Sequence, residues 1–130
     1  MKTSELRIGN LVYLADSDKI PFVIAEISQV DVKAFPQNTP LHKIIKYSIF
    51  SIRDIEPIIL TEEILLKFGF EKKLRNYELQ NLRFHLNKPI DYDGFLFCEG
   101  SIAITDKIQH VHQLQNLYFA LTGEELIFND

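Results

Sequence analysis

Two histidines, His110 and His112, lie one residue apart and are the first candidates for metal binding or acid–base chemistry. The residues that follow them have apolar side chains at helical spacing, so we expect a helix that includes both. Residues two apart in a helix are separated by about 200° around its axis, and these side chains would point to opposite sides. The spacing therefore favours the start of a helix over a shared metal or catalytic site.

Two other patterns have the residue types of a functional site without its spacing. The segment DYDG (91–94) begins like a calcium loop, but apolar residues follow where further oxygen ligands are needed. A turn is the better interpretation. Cys98 ends the apolar run FLFC, which favours a buried side chain over a nucleophile, and as the only cysteine it cannot form an internal disulfide. We predict no metal and no cofactor.

One window of the chain has a charge opposite to that of the whole. Residues 67–88 contain six basic and two acidic side chains, a net charge of +4, whereas the whole chain carries −4 and the remainder therefore −8. Such polarity can indicate an anionic partner, and the alternative is a solvated face of a strand and its loop. The candidate anionic-partner surface consists of Lys72, Lys73, Arg75, Tyr77, Arg83 and Lys88. Tyr77 is the one aromatic ring expected to stack a base, provided that it is exposed.

The elements that position these residues follow from the hydrophobic pattern. Residues 6–58 contain five short runs rich in β-branched and aromatic residues, and such runs predict a small SH3-like antiparallel β-barrel. The runs are 11–14, 21–27, 29–35, 45–52 and 54–58. Two prolines and an asparagine predict that 35–43 is the longest exposed loop. The fold class is α+β, with 59–130 forming a second region packed against the barrel, either as a domain or as part of one continuous domain.

The second region has clear helix signals. Thr61 is placed to cap a short helix that ends at Gly69, and antiparallel hairpin strands are predicted within 82–105. A C-terminal amphipathic helix ends at Gly123, and its apolar arc is predicted to pack on those strands, with Ile102 and Ile104 facing it. The arc consists of Val111, Leu114, Leu117, Tyr118 and Leu121. Phe119 lies outside the arc and is a candidate interaction contact, either at the junction with the barrel or in a homodimer.

The N-terminus has no apolar segment typical of a signal peptide, and no run approaches the roughly 18 apolar residues of a membrane span. We therefore expect a cytoplasmic protein with no membrane partner.

Three segments carry a resemblance to a known group of proteins: ELRIGNLVYL (5–14), DIEPIILTEEILLKFGFEK (54–72) and VHQLQNLYFALTGEEL (111–126). Together they resemble a family of short uncharacterised proteins of Bacteroidota, their phages and their integrated mobile elements. The resemblance implies no activity and no functional residues. The stretch RIGNLV alone is also similar to the opening strand of SH3-like or KOW-type barrels.

These observations favour a non-enzymatic accessory module of a phage or mobile element that acts through protein or nucleic-acid contacts. One alternative is an inhibitor of a host defence protein. Another is a small hydrolase or nuclease in which a histidine acts with a carboxylate. Its candidate residues are His85, His110, His112, Asp91, Asp93 and Asp106.

Overall fold

The computed structural model describes residues 2–15, 19–39, 48–80, 82–105 and 107–129. The chain forms two compact units, each built on an antiparallel sheet. The first unit comprises the residues up to Ile58 together with Val111–Glu125, and the second comprises Ile59–His110 with Leu126–Asp130. The predicted α+β class is confirmed. Within the predicted loop 35–43, residues 40–43 lie outside the described part of the chain.

The first unit contains a five-stranded sheet in the order β4-β3-β2-β1-β5. Its strands are β1 (Leu11–Leu14), β2 (Phe22–Ile27), β3 (Asp31–Pro36), β4 (Ser48–Ser51) and β5 (Ile55–Glu56). A 3-10 turn, Ile52–Asp54, separates β4 from β5. In the described ranges β4 and β5 do not pair, so the sheet is open and the predicted closed barrel is not formed. Closure would require both edges of β5, and this strand has only two residues.

The core of the first unit lies on one face of this sheet. β-Branched side chains of the strands point inward at alternating positions, as the period of two in a strand requires, and Leu6 joins them from the segment before β1. The buried members are Leu6, Val12, Ile24, Val32 and Ile55. Phe22 and Phe50 pack edge-to-face at the margin of this cluster, with ring centroids 5.7 Å apart.

The C-terminal helix α2 (Val111–Thr122) belongs to the first unit and contacts β1. This corrects the assignment of the helix to the region after residue 58. The predicted arc is confirmed only in its first turns: Val111 and Leu114 are buried, whereas Leu121 at the end of the helix is exposed. The helix ends as predicted, with Gly123 at φ +74° and its N–H donated to the Phe119 carbonyl.

Gln115 of α2 is buried as deeply as the apolar residues of the helix, and its amide and that of Asn116 bond the segment that leads into β1. The Gln115 Oε1 atom accepts the Leu11 N–H at 2.9 Å, and its Nε2 atom donates to the Gly9 carbonyl at 3.3 Å. The Asn10 Nδ2 atom donates to Asn116 Oδ1 at 2.8 Å. The spacing of apolar residues along the chain gives no information about such amide hydrogen bonds. It therefore could not predict which of the two sheets the helix packs against.

The second unit contains a helix followed by a five-stranded sheet in the order β10-β9-β8-β7-β6. Its elements are α1 (Glu62–Lys67), β6 (Glu71–Lys73), β7 (Asn76–Glu78), β8 (His85–Asn87), β9 (Leu96–Glu99) and β10 (Ile102–Ala103). Both predicted ends of α1 are confirmed. The Thr61 hydroxyl accepts the Ile64 N–H at 3.3 Å, and Gly69 adopts φ +92°.

One face of the second sheet forms the core of this unit. Tyr77, Leu86 and Phe97 are cross-strand neighbours in one row, and all three are buried. The prediction that Ile102 and Ile104 face a covering helix is wrong, because their side chains are 70% and 46% exposed. No helix in the described residues is long and apolar enough to cross a bilayer.

We predict that Gln115→Ala destabilises the first unit strongly. The substitution leaves the buried N–H of Leu11 without its acceptor, at a cost of about 1 to 3 kcal/mol in the free energy of unfolding, in addition to lost packing. Chemical denaturation measures this change. The matched control is Gln113→Ala on the exposed face of the same helix, which should change the free energy of unfolding by less than about 0.5 kcal/mol. Equal effects of the two variants would contradict this account of how α2 is held.

Candidate functional site

The basic window folds into a hairpin that the sequence patterns did not predict. Lys73 pairs with Asn76 across β6 and β7, so Leu74 and Arg75 form a two-residue turn. Such turns normally place Gly, Asn or Asp where φ is positive. Leu74 instead adopts φ +59° and is 93% exposed. A bulky apolar side chain is therefore held in water at the tip of the hairpin, on strained backbone.

The topology brings a second loop to the same end of this sheet. The chain leaves β8 at Asn87 and turns back through residues 88–94, and Phe95 forms a bridge to Ile108 before β9 begins. The Lys88 N–H donates to the Arg75 carbonyl at 3.0 Å, which places the start of this loop beside the hairpin turn. The Lys88 ammonium donates to the Tyr92 carbonyl at 3.0 Å. We call the turn 74–75, the preceding Lys73 and the loop 88–94 the loop end of the second sheet.

The cations of the predicted surface differ in their partners. Lys72 pairs with Glu62 at 2.9 Å, Lys73 with Glu78 at 3.5 Å and Arg83 with Glu99 at 3.1 Å. Over the described residues, Arg75 has no carboxylate within ion-pair distance. Exposed pairs of this kind contribute about 0 to 1 kcal/mol, so a phosphate can displace the carboxylate from an exposed lysine.

The predicted surface is not a single patch. Lys72 and Lys73 are consecutive residues of β6, so their side chains leave opposite faces of the sheet. Lys72 is directed to α1, where the hydrogen bond to Glu62 raises the lysine pKa and lowers the pKa of the Glu62 carboxyl. Arg83 precedes β8 and thus lies away from the loop end. The cations at the loop end are Lys73, Arg75 and Lys88. The Lys88 ammonium lies over the Phe95 ring, 5.1 Å from its centroid.

Tyr77 does not belong to this surface. It lies in the row that faces the core, and only 3% of it is exposed. Its ring packs edge-to-face on Phe95 with centroids 5.5 Å apart, and burial raises the pKa of its hydroxyl. A ring in this position cannot stack a nucleic-acid base, so its predicted role is corrected.

Phe119, the candidate interaction contact, lies on α2 in the first unit. Its ring is 38% exposed, and the Arg7 guanidinium lies over it at 4.2 Å from the ring centroid. Arg7 is held there by an ion pair with Glu125, in which Nη2 and Oε2 are 3.0 Å apart. Much of the apolar ring is thus covered by a cation of the same unit.

The residues of the predicted hydrolase alternative are dispersed. His85 lies in β8, two residues before the strand end from which the loop carrying Asp91 and Asp93 departs. The Asp93 carboxylate accepts from Lys107 at 2.7 Å, and this bond lowers the Asp93 pKa. Asp106 lies outside the described residues.

The two histidines of the first motif have structural positions. His110 forms an isolated bridge with Ile59, and His112 is buried in the first turn of α2. In the ranges that the structure describes, no group of three histidine, cysteine or acidic side chains is arranged to hold a metal ion.

The chain has no match among protein-family models, curated proteins or solved structures. The site must therefore be interpreted from its own geometry. That geometry is a loop end with three cations, two aspartates (Asp91 and Asp93) and an exposed leucine in a strained conformation.

We predict that Leu74→Gly stabilises the protein. The left-handed conformation costs an L-residue about 1 to 2 kcal/mol, and glycine adopts it without this cost. Glycine also has more freedom in the unfolded chain, which offsets part of the gain in stability. Since Leu74 is exposed, little burial is lost, and the free energy of unfolding should rise by about 0.5 to 1 kcal/mol. Thermal unfolding measures the change. The control Ile90→Gly replaces an exposed aliphatic residue whose φ is not positive, and it should not stabilise.

We predict that Cys98 reacts slowly with a disulfide reagent at pH 8 in the folded protein. Its side chain is buried, and burial raises the thiol pKa, which lowers the fraction of reactive thiolate. Absorbance during thiol titration follows the reaction, and addition of urea should accelerate it to the rate of a free cysteine. Fast labelling without urea would show that the thiol is accessible.

Proposed function

We propose that this protein is a non-enzymatic accessory module of a phage or mobile element, and that it binds nucleic acid through the loop end of its second sheet. The observation that carries the proposal is the position of Lys73, Arg75 and Lys88 at one end of the sheet. Arg75 supports it further, because its exposed guanidinium has no carboxylate partner among the described residues. A planar, always charged guanidinium is well suited to phosphate oxygens.

In the proposed function the first unit is a structural scaffold. We assign it to the SH3-like class of partly open barrels on three features: five sequential antiparallel strands, the return of β5 to pair with β1, and the 3-10 turn before β5. The register shift in β2 between Ile24 and Glu26 adds the local bend that such a sheet needs.

The resemblance to proteins of Bacteroidota phages and mobile elements supports the proposed origin of the protein. Two of the three motifs that carry this resemblance are also in contact in the fold. Residues 5–14 and 111–126 are far apart in sequence, yet Asn10 and Asn116 are bonded at 2.8 Å. The polar residues of these two motifs make hydrogen bonds that hold the first unit together, so they have a structural role. In this proposal the function resides elsewhere, in the second unit, and the protein acts in the cytoplasm.

We predict measurable binding of labelled duplex DNA that weakens steeply with salt. Three phosphate contacts give a slope of about −2.7 in log K against log salt, so affinity should fall about 40-fold between 50 and 200 mM salt. Fluorescence anisotropy measures both affinities. The variant Lys73→Gln/Arg75→Gln/Lys88→Gln should lose most of the binding and most of the salt dependence.

The matched control changes the charge equally in the first unit. Lys19, Lys33 and Arg53 lie in or beside its strands, and Lys19→Gln/Lys33→Gln/Arg53→Gln should retain the affinity of the parent protein. Equal losses in both triple variants would show a general effect of net charge and would contradict a site at the loop end. Absence of binding at low salt by the parent protein would contradict the proposed function itself.

A further inference from the structure

We infer that Leu74 is a wedge that enters the minor groove of duplex DNA and separates two stacked base pairs, while Lys73 and Arg75 contact the phosphates on either side. The inference rests on the proposed function and names its partner. Proteins that bend duplexes from the minor groove insert an apolar side chain between base steps, beside cations that hold the backbone.

The tip of the hairpin has the shape and exposure of such a wedge. Leu74 is 93% exposed and is the first residue of a two-residue turn, so it lies beyond the last residue pair of the two strands. A leucine in this strained conformation persists only because the pairs of the hairpin hold it there. Insertion between base pairs would remove this apolar side chain from water.

The base of the hairpin is fixed, which a wedge requires. Tyr77 of β7 is buried and packs on Phe95. β6 pairs with β7, and β7 pairs in turn with β8. These contacts hold both strands of the hairpin below the turn, so that force applied at Leu74 is transmitted to the sheet.

The aromatic residues of the second unit favour a duplex over a single strand. Single-strand binders stack bases on exposed aromatic rings. Here Tyr77 is buried, Phe95 and Phe97 are core residues, and Phe84 packs on Phe97 with centroids 5.3 Å apart. The one ring of the loop end, Tyr92, is partly buried, and the Lys107 ammonium lies 5.8 Å from its centroid. The exposed apolar side chains there are aliphatic, Leu74 and Ile90. Aliphatic residues with flanking lysine and arginine suit the unstacked step of a bent duplex.

The test uses a duplex with 2-aminopurine, a base whose fluorescence rises when it is unstacked, at a central TA step. Pyrimidine–purine steps are the easiest to open, so the probe sits where a wedge should act. We expect the full-length protein to raise the fluorescence at saturation, and the same duplex with end labels should show bending by energy transfer. Leu74→Ala should abolish the fluorescence rise and weaken binding several-fold.

The matched control is Leu66→Ala, which removes the same atoms from an exposed leucine on α1 of the same unit and should leave both signals unchanged. Duplex binding by the parent protein without a fluorescence rise would overturn the wedge and leave the proposed function intact. So would a rise that Leu74→Ala retains. Failure to bind any duplex would overturn both, and Leu74-dependent binding to phosphatidylserine vesicles in its place would assign the tip to an anionic membrane surface.

Discussion

The first unit depends on one buried side chain, the amide of Gln115. A bend at Gly9 and Asn10 leads into β1, and a bend leaves backbone groups that no sheet neighbour can satisfy. Gln115 satisfies two of them, the N–H of Leu11 and the carbonyl of Gly9, from a helix more than a hundred residues away in sequence. Gly9 itself has φ +97°, and a Cβ atom there would lie 3.0 Å from Glu125 Oε1. Strand, bend and helix are therefore mutually required.

Local signals in the sequence predicted the local structure well. The Thr61 cap, the left-handed Gly69 and the end of α2 at Gly123 all follow from the chemistry of neighbouring residues. The apolar runs predicted every strand of the first sheet for the same reason. The sheet against which α2 packs was not predictable. The apolar arc of a helix indicates that this face is buried, but it does not indicate which element buries it. Sheet closure likewise depends on contacts between distant residues.

The candidate site shows a similar division. The charge of residues 67–88 is a property of composition and was evident from the sequence. The positions of these charges on the sheet depend on the register of its strands. Lys72 and Lys73 lie on opposite faces, and Tyr77 lies in the core. The hairpin was missed because its strands have three residues each and its turn lacks Gly or Asn. The one available signal was an aliphatic residue between cations, in Lys72-Lys73-Leu74-Arg75.

The division of the chain between the two units has a consequence for protein synthesis. The first unit needs Val111–Glu125, but the ribosome makes Ile59–His110 before them. At about 5 to 20 residues per second, roughly 3 to 10 s pass between synthesis of the strands of the first unit and synthesis of the helix that bonds the backbone groups of the bend at Gly9. During this interval the Leu11 N–H lacks its Gln115 acceptor, and the apolar side chains that α2 covers remain uncovered. Folding of the first unit is therefore coupled to the synthesis of α2, whereas all of α1 and the second sheet is synthesised earlier.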